Sequence, residues 1–153
     1  MAWKKGKELL QRAIAERLSF AFETTLGGNT ITSLLETALA AGLEVRVWYA
    51  GLSSPELHIQ RVRARVIKDG HNIPEETIRV RYKTSRLNLI RLIPKITELR
   101  VYDNSEEADP NAGHTPKPEL LLHMIAGKII SSCDESLIPE WARPILAAAQ
   151  SLI

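Results

Sequence analysis

Between Arg61 and Arg100 the sequence places eleven Lys or Arg residues: Arg61, Arg63, Arg65, Lys68, Arg79, Arg81, Lys83, Arg86, Arg91, Lys95 and Arg100. Four acids stand against them, Asp69, Glu75, Glu76 and Glu98, so this stretch carries +7 and the net charge of +2 leaves −5 for the remainder. The acids of the block are too few to pair its arginines from within. An anionic partner is therefore expected, phosphate above all, because guanidinium forks bind phosphate oxygens bidentately. A solvated helical face laced with salt bridges would use the same residues. Other chemistry-bearing types are sparse. Cys133 is the single cysteine, which excludes an internal disulfide framework or a cysteine zinc site and leaves at most a reactive thiol. His58, His114 and His123 have no metal-ligand partner at useful spacing, so no metal site is read. Trp3, Trp48 and Trp141 read as core or interface residues.

The elements that must carry this block follow from periodicity. Trp3 to Arg17 has apolar residues at Leu9, Leu10, Ala13, Ile14 and Leu18, the spacing of an amphipathic helix. Ser19 to Thr24 is short and aromatic and runs into Gly27-Gly28, so it reads as a strand opening into a glycine turn. Asn29 or Thr30 is expected to cap a helix that Gly42 terminates. Leu43 to Ala50 reads as a second strand. Ser53 or Ser54 then caps a helix starting with Pro55 and running to about Lys68, which puts Arg61 and Arg65 on one face. A polar loop from Asp69 leads into a longer helix from Pro74 to about Ile93, with Arg79, Lys83 and Arg86 on one face and Ile78, Tyr82, Leu89 and Leu92 supplying apolar contacts. The two helices make a basic hairpin. Thr97 to Asp103 reads as a third strand, ending at Asp103-Asn104-Ser105, where open parallel sheets bind ligands. Residues 106–118 read as a loop, Glu119 to Met124 and Lys128 to Ser132 as a hairpin around Ala126-Gly127, and Pro139 to Leu152 as a closing helix.

The chain has 153 residues, 44% apolar and 25% charged, which fits one ordinary globular domain. Its apolar runs are broken long before the ~20 residues of a membrane span. No secretory signal is read at the start, so a soluble, cytoplasmic protein is expected.

Four stretches in order resemble the zeta-toxin-like family of phosphoryl-transfer proteins, also described as predicted ABC-type ATPases, built on the P-loop kinase fold. They are Ser19-Phe-Ala-Phe-Glu-Thr-Thr-Leu26, Arg61-Val-Arg-Ala-Arg-Val66, Gly70-His-Asn-Ile-Pro-Glu-Glu-Thr-Ile-Arg-Val-Arg-Tyr82 with Ser85 and Asn88-Leu89, and Tyr102-Asp-Asn-Ser105. The resemblance covers roughly residues 6–105. It implies an α/β fold: a three-layer P-loop-kinase-like parallel sheet with flanking helices and a helical basic lid at about 58–93, in a single domain over 1–153. It further implies that Arg65, Arg79 and Arg81 act catalytically on the transferred phosphate. Glu23, with Thr24, Thr25 and His71, would bind the acceptor, a phosphorylated or nucleotide-sugar small molecule, and Asp103, Asn104 and Ser105 the nucleotide base. Each has a plainer reading beside it: Glu23 as an acid at a helix N-terminus, Thr24 and Thr25 as caps, His71 as a turn residue, and Asp103 to Ser105 as an Asx turn.

The departures from the pattern are as informative. The family pattern opens with a strand and a Gly-x-x-x-x-Gly-Lys-[Ser/Thr] loop, followed by an Asn-Ala-Asp segment whose aspartate is the proposed base. Neither occurs in these 153 residues. Gly6-Lys7 has no glycine five residues before it and sits in a helix pattern. Gly27, Asp69 and Val80 stand where the family often has serine, glycine and arginine. ATP and magnesium are implied by the family, yet without the amide-rich loop the chain is expected to bind them weakly and to lack kinase activity alone. The first, central strand would be missing from the sheet, its gap closed by direct pairing of the flanking strands or by a homodimer. The expected function is thus an ATP-dependent phosphotransferase domain in truncated form. The alternative is a non-catalytic module binding an anion or a partner such as an antitoxin. Nucleic acid is a weaker third partner, because only Tyr82 interleaves the arginines for stacking.

Overall fold

A computed structural model describes residues 2–67, 72–106 and 117–152. Helix α1 spans Ala2–Glu16, α2 Asn29–Ala40, α3 Pro55–Ile67, α4 Glu75–Leu92 and α5 Arg143–Gln150; the strands are β1 Arg46–Gly51, β2 Glu98–Asp103, β3 Glu119–Ile125 and β4 Lys128–Ser132. His71, with Asp69 and His114, lies outside the described residues.

The four strands form one sheet in the order β1-β2-β3-β4. β1 and β2 pair in parallel, with Val47 opposite Leu99 and Tyr49 opposite Val101. The expected strands at Leu43 and Thr97 thus join directly. β3 and β4 continue antiparallel, so the sheet is mixed rather than the parallel sheet expected. For β3 and β4 the reason is local: Ala126 (φ 50) and Gly127 (φ 77) turn the chain straight back, and a hairpin can only pair antiparallel.

Alternation sets the layers. Val47, Tyr49, Leu99, Val101, Leu122, Met124 and Ile129 share one face and join Leu35, Ala38, Leu89, Leu92, Ile145 and Ala149 of the helices in the main core. The opposite face is open: Trp48 is 71% exposed, and Leu120, Ile125 and Ile130 are exposed too. The second outer layer of a three-layer arrangement is therefore not seen over these residues. Polar groups dominate the centre of that face, where Glu98 bonds Arg46 at 2.7 Å and Arg100 at 3.0 Å, and Arg100 lies 5.5 Å from the Trp48 ring centroid.

The strand expected at Ser19 to Thr24 does not form. Residues 18–27 run without a turn or bend, and Phe20 and Phe22 stack at 5.5 Å as i, i+2 neighbours of a straight chain would. Yet no main-chain hydrogen bond to another described residue forms from Ser19 to Thr25. Strand propensity is present without a ladder, which is a tertiary condition that period-2 patterning cannot supply.

Helix ends follow local chemistry. α2 has Gly28 at its N-cap with no side-chain bond, in place of the expected Asn29 or Thr30 cap. At the other end Gly42 (φ 84) lets the Leu43 amide reach the Ala38 carbonyl, a Schellman closure. Ser54 caps α3 by accepting from the Leu57 amide at 3.1 Å. A small separate core of Ile59, Val62 and Ile78, with Ile73 against it, clamps α3 to α4.

Candidate acceptor and anion site

The basic block is distributed by pairing. Arg63 bonds Glu75, Arg79 bonds Glu56 at 2.7 Å, Arg91 and Lys95 share Glu36, and Arg100 bonds Glu98. The acids of the block are too few to pair its arginines from within, but further partners come from elsewhere in the chain, which weakens the expectation of an external anion. Glu36 and Glu56 come from outside the block, and sequence counting within a window cannot see them. The Arg79 partner holds the Glu56 carboxyl below its ordinary range, and the Arg91 and Lys95 partners do the same for Glu36.

Two more arginines serve the backbone. Arg61 donates to the Asn104 carbonyl at 2.7 Å and to the Glu106 carbonyl at 3.2 Å. Arg86 donates to the Tyr82 and Trp141 carbonyls at 3.2 and 3.3 Å, with its guanidinium 4.5 Å from the Tyr82 ring centroid. Among the described residues, the side chains of Arg65, Arg81 and Lys83 form no ion pair or hydrogen bond.

Arg65, Arg61 and Arg81 all act electrostatically on His58. Residues 58, 61 and 65 lie on one face of α3, and Arg81 comes from α4. Partial burial lowers the His58 pKa first, and the fields of Arg65, Arg61 and Arg81 lower it further. A cationic imidazole is disfavoured there, and an added anion would be favoured by the same fields.

The loop carrying Glu23, Thr24 and Thr25 lies against α4 at this point. A Cβ on Gly27 would stand 2.7 Å from Arg81 Cγ, so the Arg81 stem runs directly over Gly27. Leu26 holds φ 55. Thr24 Oγ1 accepts from the Leu26 amide at 3.1 Å, and Thr25 Oγ1 from the Gly27 amide at 3.4 Å. Asn88 donates to the Leu26 and Gly28 carbonyls at 2.7 and 3.2 Å, and Thr84 to the Gly27 carbonyl at 2.8 Å. Sequence reasoning gave Thr84 and Asn88 no role. The signal was available: Arg81, Thr84 and Asn88 stand at i, i+3 and i+7, one face of α4.

Asp103, Asn104 and Ser105 lie together beyond β2. The Asp103 carboxylate accepts from the Ser105 amide at 3.1 Å and from its hydroxyl, an Asx turn. Ser105 Oγ accepts from the Ser53 amide at 2.8 Å, and the Asn104 amide donates to the Gly51 carbonyl at 2.8 Å. These residues lock the loop after β1 to the loop after β2. They lie apart from the Gly27 loop in the sequence and join the hairpin through Arg61.

The fit to ATP and magnesium can be tested on the donor set. A triphosphate cradle needs successive main-chain amides turned outward from a loop. Gly6 and Lys7 instead lie within α1, so the Gly6-Lys7 pair forms no such cradle. Among the described residues, no group of three or more His, Cys, Asp or Glu is arranged to hold a metal ion.

A parallel strand pair extended by an antiparallel hairpin, with a basic helical hairpin at its carboxyl ends, defines an α/β domain. The zeta toxin family matches residues 1–109, most of the chain. The chain belongs to that family. It is also similar to an uncharacterised protein of Haemophilus influenzae (strain ATCC 51907 / DSM 11121 / KW20 / Rd), 36% identical over 81 residues. Those residues are 53% of this chain and 58% of the relative, so the chain spans less than two thirds of that protein's length. No solved structure matches. Among the described residues, no helix is long and apolar enough to cross a membrane.

Proposed function

We propose that this chain is a kinase-like domain whose described residues form the acceptor-gripping and charge-neutralising part of an ATP-dependent phosphotransferase. Its substrate class is a phosphorylated or nucleotide-sugar small molecule, and these 153 residues do not catalyse transfer alone. The carrying observation is the seat of the Arg81 stem over Gly27, which sets an unpaired guanidinium side chain beside the loop of Glu23, Thr24 and Thr25. Arg81 and Arg65 neutralise phosphate charge, and Glu23 accepts from a hydroxyl of the bound molecule. Arg79 takes a lesser part, because Glu56 already neutralises it. Burial and the arginine fields disfavour a charged His58, and a bound anion would offset those fields. Positioning and charge stabilisation are what phosphoryl transfer asks of a protein, and this part supplies the acceptor side of both.

Calorimetric titration tests the reading. ATP with magnesium is expected to give no binding heat, while a uridine diphosphate sugar binds and loses at least tenfold in affinity in Arg81→Ala. ATP-dependent turnover by the 153-residue polypeptide would refute the inactive part, and absence of any sugar or phosphate binding would refute the rest.

A partner-binding reading is favoured by one separate observation, the open sheet face with Trp48 71% exposed. Large exposed apolar groups on a sheet face mark contact surfaces. An antitoxin or a second copy would occupy it, and light scattering of the purified chain distinguishes a homodimer from a monomer.

A further inference from the structure

We propose that Thr84 and Asn88 are positioning residues that latch the Glu23 to Gly28 loop onto α4, so that Glu23 and Arg81 address one bound molecule at a fixed separation. The inference rests on the acceptor-binding reading above and adds residues that reading does not use.

Three consecutive carbonyls, those of Leu26, Gly27 and Gly28, accept from two side chains one helical turn apart. Consecutive carbonyls of an ordinary exposed loop are solvated by water. Here Asn88 spends its amide on two of them, at 2.7 and 3.2 Å, and bridges the left-handed kink at Leu26. Thr84 has one hydroxyl proton, which serves the Gly27 carbonyl at 2.8 Å and the Val80 carbonyl of its own helix at 3.0 Å. Arg81 stands one turn before Thr84 on the same face, its stem over Gly27. The three-residue segment Leu26 to Gly28 is therefore gripped from one face of one helix.

The inner bonds of the loop sharpen the assignment. Thr24 and Thr25 already accept from the Leu26 and Gly27 amides, so one acceptor position of each hydroxyl is committed within the loop. The Glu23 side chain forms no hydrogen bond or ion pair with the described residues and stands three positions before Leu26, where the latched segment begins. Its reach is set by where the latch holds the main chain. A side chain that acts through the placement of another should move affinity for a molecule touching both Glu23 and Arg81, and leave affinity for a bare anion alone.

The test compares the wild-type chain with Thr84→Val, Thr84→Ser, Asn88→Ala and the double variant Thr84→Val/Asn88→Ala. Calorimetry with a uridine diphosphate sugar and, separately, with inorganic pyrophosphate gives the two affinities. Amide hydrogen exchange across residues 24–28 reads the latch without any ligand. The double variant should lose at least tenfold for the sugar, change less than twofold for pyrophosphate, and exchange faster across 24–28, with Thr84→Ser restoring the behaviour of the wild type. Equal weakening for both probes, or no change for either, would overturn the proposal. If the wild-type chain binds pyrophosphate but no sugar, the acceptor reading fails by itself. Exchange then decides the latch: unchanged rates across 24–28 in the double variant sink it, and faster rates confined there uphold it.

Discussion

Replacing Gly51 by alanine adds one methyl group at the carboxyl end of β1, and the structure says what it meets. The new Cβ would stand 2.8 Å from Trp141 Cζ2 and closer still to Cη2 and Cζ3. Those atoms belong to a rigid ring that is 4% exposed and packs 6.4 Å, centroid to centroid, from Tyr49. The ring cannot swing aside without opening the main core. Overpacking of this kind costs about 1–3 kcal/mol, and a collision with a flat, buried ring belongs at the upper end. Displacement of the strand end also strains the bond from the Asn104 amide to the Gly51 carbonyl, worth about 1 kcal/mol more. At about 2–4 °C per kcal/mol for a chain of this size, a cost of ~3 kcal/mol lowers Tm by roughly 6–12 °C. Urea melts of wild type, Gly51→Ala, Trp141→Leu and the double variant make the argument a cycle. With the ring gone the methyl has room, so a coupling of about 2 kcal/mol is expected in the direction of rescue. Gly51→Ala within about 0.5 kcal/mol of wild type, or strict additivity in the double variant, would refute the steric reasoning.

The remaining expectations concern the site and its charges. Gly27→Ala should displace the Arg81 stem and weaken pyrophosphate binding several-fold, while far-ultraviolet circular dichroism stays that of the wild type. The His58 imidazole should titrate below its ordinary value by NMR, and saturating pyrophosphate should raise it as the anion offsets Arg65, Arg61 and Arg81; no movement on addition would contradict the cluster. The Glu36 carboxyl is held below its ordinary range by Arg91 and Lys95. Its folded pKa therefore lies under its unfolded one, so its stabilisation is present above the unfolded value and lost as pH falls through the folded one. Melts of Glu36→Gln should show a smaller acid-side loss of stability than wild type, and identical profiles would discount this pair.

Much of this architecture was legible in residue order. The apolar spacing of Ile78, Leu89 and Leu92 gave α4 almost to its ends, Gly42 gave the stop of α2, and Ser54-Pro55 gave the start of α3, because each signal is local. Pairing was not legible. Ser19 to Thr24 has every strand property except a neighbour, and Glu36 lies 55 residues from the Arg91 it neutralises. The same distance hid the latch, since Asn88 and Leu26 are 62 residues apart in sequence. Arg65 and Arg81 were foreseen as a type, but their lack of partners becomes visible only when the pairing of Arg61, Arg63 and Arg79 is known.

Among the described residues no main-chain hydrogen bond holds Ser19 to Thr25, which makes this run vulnerable. An extended, exposed backbone with no cross-links is the form that fits a protease cleft, and Phe20 and Phe22 are the side chains chymotrypsin selects. A single cut there would sever α1 from the body covalently while Leu10, Ala13 and Ile14 still bury against it. The first helix would thus behave as a bound peptide, and the strength of its hold could be weighed directly by dilution.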